Sequence, residues 1–349
     1  MKVEIGMTSF ADTNDIHTEN GVQEKLSADE RIRHIVEEIK LADEVGLDVY
    51  GLGEHHRSDY AVSDPVTVLA AAASLTQRIK LSSAVTVLSS DDPVRVYERF
   101  ATLDAVSNGR AEIMVGRGSF IESFPLFGYD LDDYDRLFVE KLELLKEINQ
   151  HEVVTWEGTM RPAIKGLGVY PRAVQDEIPI WLATGGTPES SIRAAEFGLP
   201  ITYAIIGGNP KRFKRNIAIY RAVAESRGYD LADMPVAVHS WGYIADTDEQ
   251  AQREFYEPTK VHHEIIAKER NWPPYTEAHF QREISDEGAM FVGSPETVAR
   301  KMIKVIEELG LNRFMLHIPV GSMPHERIMK AIKLYGKRVK PIIEDYFNN

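Results

Sequence analysis

The sequence predicts a (β/α)₈ barrel, in which eight parallel strands alternate with helices along the chain. Three observations indicate this fold class. Apolar runs rich in branched side chains alternate eight times with segments of helical periodicity. No linker or change of composition divides the 349 residues, so we expect one domain over residues 1–349. Several predicted strands end in glycines or polar residues, and ligands of parallel barrels bind at those ends.

Each predicted strand is a short apolar run of the kind that is buried on both faces. The run around Leu81, Val85 and Val87 is typical, because branched side chains favour strands. The eight strands are expected at residues 3–10, 48–53, 80–88, 111–115, 178–183, 199–206, 235–244 and 313–318.

Capping residues and prolines mark where the helices begin. Ser27 and Glu30 form a capping box, and Pro65 and Pro93 occupy first turns, where a missing N–H costs nothing. Insertions are expected near 151–177 and 269–290. An open doubly wound sheet is the alternative fold, but it normally carries GxGxxG after the first strand, where this chain reads FADTNDI. The helices are expected at residues 28–44, from 65, 93–107, 134–149, 189–197, from 209 to about 227, 246–270, 295–309 and 325–346.

Composition excludes several classes of function. The net charge of −14 disfavours binding to nucleic acid or to an anionic membrane surface. The absence of cysteine excludes disulfides, thiolate metal sites and a cysteine nucleophile, and it fits a cytoplasmic protein. No apolar run approaches the roughly 18 residues that span a bilayer. The first ten residues read as a strand and not as a signal peptide.

The turn Thr184-Gly185-Gly186-Thr187 lies where the fifth strand meets a helix. Glycines allow a ligand to approach the backbone closely, and the first N–H groups of a helix are unpaired. The turn therefore predicts an anion site, most naturally for a phosphate. The alternative is a tight turn in which Thr187 only caps the helix.

Two further stretches carry candidate site residues. Arg117, between two glycines at the fourth strand's end, could pair with that phosphate or form a salt bridge between loops. His55 follows the second strand in Glu54-His55-His56-Arg57 and could act as a general acid or base, or only fix its loop. A metal site is not expected, because no HxH or HExxH spacing supplies further ligands. The pair His262-His263 is interpreted as structural.

Four segments of the chain resemble the bacterial luciferase-like family of flavin-dependent oxidoreductases. They are LADEVGLDVYGLGEHH, SSAVTVLSSDDPVRVYERFATLDAVSNGRAEIMVGRG, FGYDLDDYDR and, more weakly, TGGTPES. The resemblance covers most of residues 1–200. It implies a (β/α)₈ barrel, a homo-oligomer (dimer or tetramer), and FMN or, in some branches, a deazaflavin as cofactor. It also implies a non-prolyl cis peptide between Ala84 and Val85, behind the flavin ring.

The resemblance also assigns roles to residues of this chain. His55 matches a histidine implicated in catalysis, and Arg117 and Arg136 match arginines at the flavin phosphate. One departure is Gly116, where luciferases carry a reactive cysteine, so light emission is not implied. The expected cofactor-binding residues are Glu54, Ala84, Val85, Arg117, Arg136, Thr184, Gly185, Gly186 and Thr187.

The expected function is that of a flavin-dependent monooxygenase that uses reduced FMN and O₂ on an unidentified small organic substrate. A separate reductase is the expected source of reduced flavin, because no nicotinamide fingerprint is visible. The insertion at residues 271–288 is the candidate lid. Two alternatives remain: a deazaflavin-dependent dehydrogenase or reductase on the same barrel, and a flavin-binding barrel without catalysis.

Overall fold

A computed structural model describes residues 2–118 and 120–348, in which eight parallel strands close into a barrel. The first strand pairs with the second and with the eighth, and the fourth pairs with the fifth, which completes the ring. The predicted fold class is therefore confirmed. The barrel strands, numbered β1 to β8, are Glu4–Ser9, Val49–Leu52, Lys80–Ser83 (continued by Thr86–Val87), Ala111–Gly116, Ile180–Thr184, Ile201–Ala204, Val236–Ile244 and Arg313–His317.

Helices surround the barrel and share one continuous apolar core with the outer faces of the strands. Four of these helices begin with a capping side chain followed by proline, as at Asp64-Pro65 and Thr187-Pro188. The helices are Ala28–Glu44, Pro65–Ala73, Pro93–Ser107, Ser123–Phe127, Tyr134–Gln150, Pro188–Glu196, Lys214–Ser226, Asp248–Arg270, Glu277–Ile284, Pro295–Leu309, His325–Leu334 and Lys340–Asn348.

Several connections contain more structure than the sequence predicted. The loop after β1 holds a hairpin of Ile16–Thr18 and Gly21–Gln23, and residues 151–177 hold another of Val153–Trp156 and Ile164–Gly168. The insertion after β7 contains helix Glu277–Ile284, and the strand Phe291–Gly293 then pairs with β7. The connection between β4 and helix Tyr134–Gln150 includes the short helix Ser123–Phe127, and Ser119 lies outside the described residues.

The third strand is interrupted, whereas the sequence predicted one run over residues 80–88. A cis peptide joins Ala84 to Val85 between the two segments of β3. The non-prolyl cis bond implied by the family resemblance is therefore present in the structure.

A buried ion network closes the amino-terminal end of the barrel. Arg313 of β8 donates to both carboxylate oxygens of Glu112 on β4, at 2.7 and 3.0 Å, and to Glu4 of β1. Lys80 of β3 also lies 3.2 Å from Glu112. Both Glu112 and Arg313 are buried, and Trp181 covers the guanidinium at 4.2 Å. This end of the barrel is filled by paired charges, which leaves the opposite end as the place for a ligand inside the barrel among the described residues.

Candidate active site

A cavity of about 430 Å³ opens at the carboxyl ends of the barrel strands. Its size lies within the range of small-molecule and cofactor sites. Each of the eight strands, or the loop that follows it, contributes to the wall. The contribution of β8 is Met315. Polar groups on the wall come chiefly from Thr8, Glu54, His55, Arg117, Thr184, Ser190, Arg193, Thr202, His239, His262, His263 and Arg270.

One side of the cavity, at the ends of β4 and β5, is an anion cradle. Arg117 follows β4, while Gly185 and Ser190 belong to the turn and first helical turn after β5. No other heavy atom lies within 4 Å of the position that a Cβ on Gly185 would take, so the backbone faces open space. The amino end of helix Pro188–Glu196 supplies the favourable dipole for an anion.

Two arginines of the cradle share a single carboxylate. Arg117 donates to Asp135 at 2.7 Å, and Arg193 lies 3.6 Å from the same oxygen. Because Asp135 is largely exposed and neutralises only one of the two charges, the cradle keeps a net positive charge toward the cavity. The Tyr134 hydroxyl donates to the Arg117 carbonyl and fixes the turn that carries the guanidinium. Guanidinium groups are suited to bidentate pairing with an anion such as a phosphate.

Between the cradle and the histidines, the interrupted strand forms a step in the wall. Ala84 and Val85 both line the cavity there. Val85 packs against Gly116, where a Cβ would lie 2.7 Å from a valine methyl group, so glycine is needed for this contact. Glu54 holds the step in place, because its carboxylate accepts from the Val87 N–H at 2.9 Å and contacts His56 at 2.9 Å.

His55 faces the cavity from the end of β2 among aromatic rings. It stacks on Tyr60 with 4.1 Å between ring centroids and contacts Phe10 at 4.9 Å. Burial lowers the pKa of its imidazole to about 4, although the Asp12 charge partly opposes that shift. The ring is therefore neutral near pH 7, and its buried Nδ1 has no hydrogen-bond partner among the described residues. A neutral imidazole with a free nitrogen can exchange a hydrogen bond or a proton with a ligand.

Two other histidines lie near this ring, on the other side of Phe10. His239 of β7 and His317 of β8 pack against Phe10, and the Thr8 hydroxyl contacts His317 Nδ1 at 2.9 Å. Burial lowers the pKa of His239 to about 4 and that of His317 well below its usual value. The structural interpretation of the pair His262-His263 was too narrow, because both side chains line the cavity.

The cavity rim is held together by Arg57. Its guanidinium donates to Asp59 at 2.9 Å in its own loop, to Glu122 at 2.6 Å after β4, and to Glu269 at 2.6 Å in the helix after β7. It also covers the Phe120 ring at 4.3 Å. Three segments distant in sequence therefore meet at one cation above the cavity.

The insertion after β7 is anchored at its far end. Lys301 Nζ donates to the carbonyls of Ile284, Ser285 and Met290, at distances from 2.5 to 3.2 Å. Burial lowers the pKa of this ammonium to about 8. The near end of the same insertion contributes Trp272 to the cavity wall. A lid role for residues 271–288 stays a prediction.

The structure brings most of the predicted site residues to one cavity. Glu54, His55, Ala84, Val85, Arg117, Thr184 and Gly185 all line it. Gly186 and Thr187 do not, because the Gly186 N–H donates to the Thr184 hydroxyl and Thr187 caps the following helix.

Arg136 is not at the cradle. Its guanidinium pairs with Asp133 at 2.6 Å on the solvent side of helix Tyr134–Gln150. Arg193 lies in the cradle and was missed by the sequence analysis. Its spacing of three residues from Ser190, which places both on one helical face beside the predicted phosphate turn, was the available signal.

Metal-ligand clusters and membrane-spanning helices are two features that can be examined within the part of the chain that the structure describes. Within residues 2–118 and 120–348, no group of three or more histidines or carboxylates could hold a metal ion. No helix in this part of the chain is both long enough and apolar enough to cross a bilayer.

Comparison with known proteins identifies the family. A family model described as luciferase-like monooxygenase matches residues 7–313. The chain therefore belongs to the luciferase-like monooxygenase family. Among curated relatives, N-acetyl-S-alkylcysteine monooxygenase of Bacillus subtilis (strain 168) is 25% identical over 325 residues, which cover 88% of this chain and 92% of that protein.

Solved structures with low sequence identity share the fold. Monooxygenase RslO1 from Streptomyces bottropensis aligns with a TM-score of 0.83 at 23% identity, covering 97% of this chain and 99% of that one. The oxygenating constituent of 3,6-diketocamphane monooxygenase from Pseudomonas putida, in complex with FMN, aligns at 0.77 with 20% identity and 98% of each chain. The coenzyme F420-dependent tetrahydromethanopterin reductase of Methanopyrus kandleri aligns at 0.72 with 21% identity, over 98% and 99%. Structural neighbours thus include both flavin and deazaflavin proteins.

Proposed function

We propose that this protein is a flavin-dependent monooxygenase that uses reduced FMN and O₂ to oxygenate a small organic substrate. The observation that carries the proposal is one cavity with two chemically distinct sides. The anion cradle of Arg117 and Arg193 lies at β4 and β5, whereas His55 and its aromatic neighbours lie toward β1, β2 and β7. Family membership and the FMN complex of a structural neighbour support the same assignment.

The residues present fit a phosphorylated flavin. Arg117, Arg193, Ser190 and the backbone at Gly185 would hold the phosphate, and the step at Ala84–Val85 would support the ring. Within residues 2–118 and 120–348, three buried polar atoms of the wall lack a protein partner: His55 Nδ1, Thr202 Oγ1 and His239 Nε2. A bound ring with polar edges offers such atoms hydrogen bonds, and leaving them unpaired costs roughly 1–3 kcal/mol each. When bound, reduced flavin supplies the electrons that activate O₂.

The chain's own residues position the substrate, exclude water and move a proton. An apolar wall of aromatic side chains keeps water from the reacting atoms. The wall consists of Phe10, Tyr60, Phe120, Trp241 and Trp272. This wall favours an organic substrate with an apolar body. His55 exchanges a proton with a ligand through its unpaired Nδ1. A separate reductase as flavin donor, a homo-oligomeric state and a cytoplasmic location stay predictions.

The test is O₂ consumption by purified protein supplied with chemically reduced FMN, in the presence of a panel of small organic compounds. We expect substrate-dependent oxygenated product. Turnover only with a reduced deazaflavin, and without O₂, would replace the proposal by the dehydrogenase alternative. Tight flavin binding without any product from a broad panel would favour a flavin-binding barrel without catalysis.

Replacing Arg117 with alanine is expected to weaken FMN binding about 10- to 100-fold, because a charge-assisted hydrogen bond contributes roughly 1.5–3 kcal/mol. Riboflavin, which lacks the phosphate, should bind the variant and the wild type equally. Titration of flavin fluorescence measures both constants. The matched control is Arg136→Ala, which removes a guanidinium paired with Asp133 outside the cavity and should change FMN affinity less than about twofold. Equal weakening of FMN and riboflavin would show that Arg117 does not contact the phosphate.

A further inference from the structure

One histidine of the cavity differs from the others because it has a carboxylate partner. His262, on helix Asp248–Arg270, lines the cavity, and its Nδ1 lies 3.2 Å from Asp12 Oδ1. The Asp12 side chain is only 1% exposed, and the His262 side chain 11%. His55, His239 and His317 have no carboxylate within hydrogen-bonding distance among the described residues.

The backbone fixes Asp12 in place. Asp12 forms an antiparallel bridge with Tyr60, in which the Ala61 N–H donates to the Ala11 carbonyl at 2.9 Å and the Thr13 N–H donates to the Asp59 carbonyl at 2.9 Å. The loop after β1 is thus tied to the loop that carries His55. Trp241 contacts the His262 ring edge-on at 5.5 Å, which restrains the imidazole from a second side.

Asp12 also lines a small separate cavity of about 10 Å³, together with His34, Ser322 and His325. Within the described residues, Asp12 Oδ2, His34 Nδ1, Ser322 Oγ and His325 Nδ1 are buried without a hydrogen-bond partner. The volume is about that of one water molecule, and a polar space of this size is suited to an internal water.

We propose that His262 is a second proton-transferring residue of the active site and that Asp12 is its positioning residue. The proposal rests on the proposed flavin-dependent activity. Asp12 accepts a hydrogen bond from Nδ1–H, which selects that tautomer and leaves the Nε2 lone pair as the atom available to a ligand. When Nε2 takes a proton from a ligand, the imidazolium keeps its Nδ1–H bond to the carboxylate, and the reverse step returns the proton through Nε2.

The division of roles follows from the surroundings of the two rings. His55 is enclosed by Tyr60, Phe10 and Phe120, and no carboxylate of the described residues lies within hydrogen-bonding distance of its ring. A buried carboxylate bonded to an imidazole both orients the ring and stabilises its charged form. The titratable and charged groups that face the pair are His55, Tyr60, His317, Arg31, His34 and His325.

The first test needs no flavin. Nitrogen-15 spectra of histidine-labelled protein, recorded at alkaline pH, distinguish an Nδ1–H from an Nε2–H imidazole. We expect His262 as the Nδ1–H tautomer in the wild type and a shift toward Nε2–H in Asp12→Asn, because an amide in place of the orienting carboxylate selects the other tautomer. An Nε2–H ring in the wild type, or the same tautomer in both proteins, would overturn the proposal.

The second test uses the FMN-loaded protein. Asp12→Asn and His262→Gln are each expected to lower kcat about 100-fold and to change its pH profile, with KM and FMN affinity within about twofold of wild type. If Asp12→Asn fails to fold, the kinetics of His262→Gln alone decide the proton-transfer role. We expect this variant to fold, because the His262 side chain lines the cavity. The control is His279→Gln, on helix Glu277–Ile284 and outside the cavity wall, which should leave the pH profile unchanged.

The two tests separate the pair from the proposed function. If the wild type does not bind reduced FMN, the proposed function fails, and the nitrogen-15 tautomer alone decides the pairing. If the wild type turns over and both variants keep its kcat and pH profile, the proton-transfer role of His262 is wrong while the flavin-dependent activity stands.

Discussion

Replacing His55 with alanine should lower kcat by about 10²- to 10⁴-fold while FMN affinity changes less than about twofold. The expected loss follows from removing the buried imidazole that faces the cavity with an unpaired nitrogen. FMN affinity should persist because its phosphate is expected to be held by the cradle at β4 and β5. Steady-state kinetics with a defined substrate and fluorescence titration measure the two quantities.

The same histidine has a pH signature that can be checked in the wild type. Because burial lowers its pKa to about 4, His55 stays neutral from about pH 5 upward and gives no ionisation step near neutrality. His55→Gln, which retains hydrogen-bonding atoms, should recover part of the activity that His55→Ala loses. Substrate oxidation at the wild-type rate in His55→Ala would remove this residue from the mechanism.

Replacing Glu112 with glutamine should lower the free energy of unfolding by about 3 kcal/mol, because Arg313 would lose the carboxylate that it contacts through two nitrogens in the barrel base. Burial alone would raise the pKa of Glu112, yet the nearby Arg313 charge lowers it below its usual value, so the pair is ionised. Urea titration followed by circular dichroism measures the change.

The control for this prediction is an exposed ion pair of the same length. Arg338 and Glu296 also approach to 2.7 Å, but both side chains are about 60% exposed. Glu296→Gln should therefore cost less than about 1 kcal/mol. Equal effects of the two substitutions would show that the buried network contributes no more than a surface pair.

The sequence predicted the barrel well because its signals are local. Apolar runs, capping residues and prolines each act within a few positions, and every barrel strand was found within a few residues of its expected place. The step at Ala84–Val85 was anticipated only through the family resemblance, since neither residue type indicates a cis bond. The helix in the insertion after β7 was missed, since aromatic and proline residues obscure its period.

The site was predicted less completely because it depends on which face of each element turns inward. Arg136 lies in the first turn of its helix and Arg193 in the last turn of a shorter one, yet only Arg193 reaches the cradle. Helix orientation is set by tertiary packing and is not visible in the spacing of one arginine. The sequence does contain signals that His239 and His262 face the cavity. Alternation along β7 points His239 inward with Trp241, and His262, Ile266 and Arg270 recur at four-residue spacing on one helical face.

The contacts of Arg57 limit how the segments around the cavity rim can move. Since the loops after β2 and β4 and the helix after β7 converge on this one group, none of them can move outward alone without breaking contacts to the others. We therefore expect any widening of the rim to require the loss of at least one contact of Arg57, although this residue does not itself line the cavity.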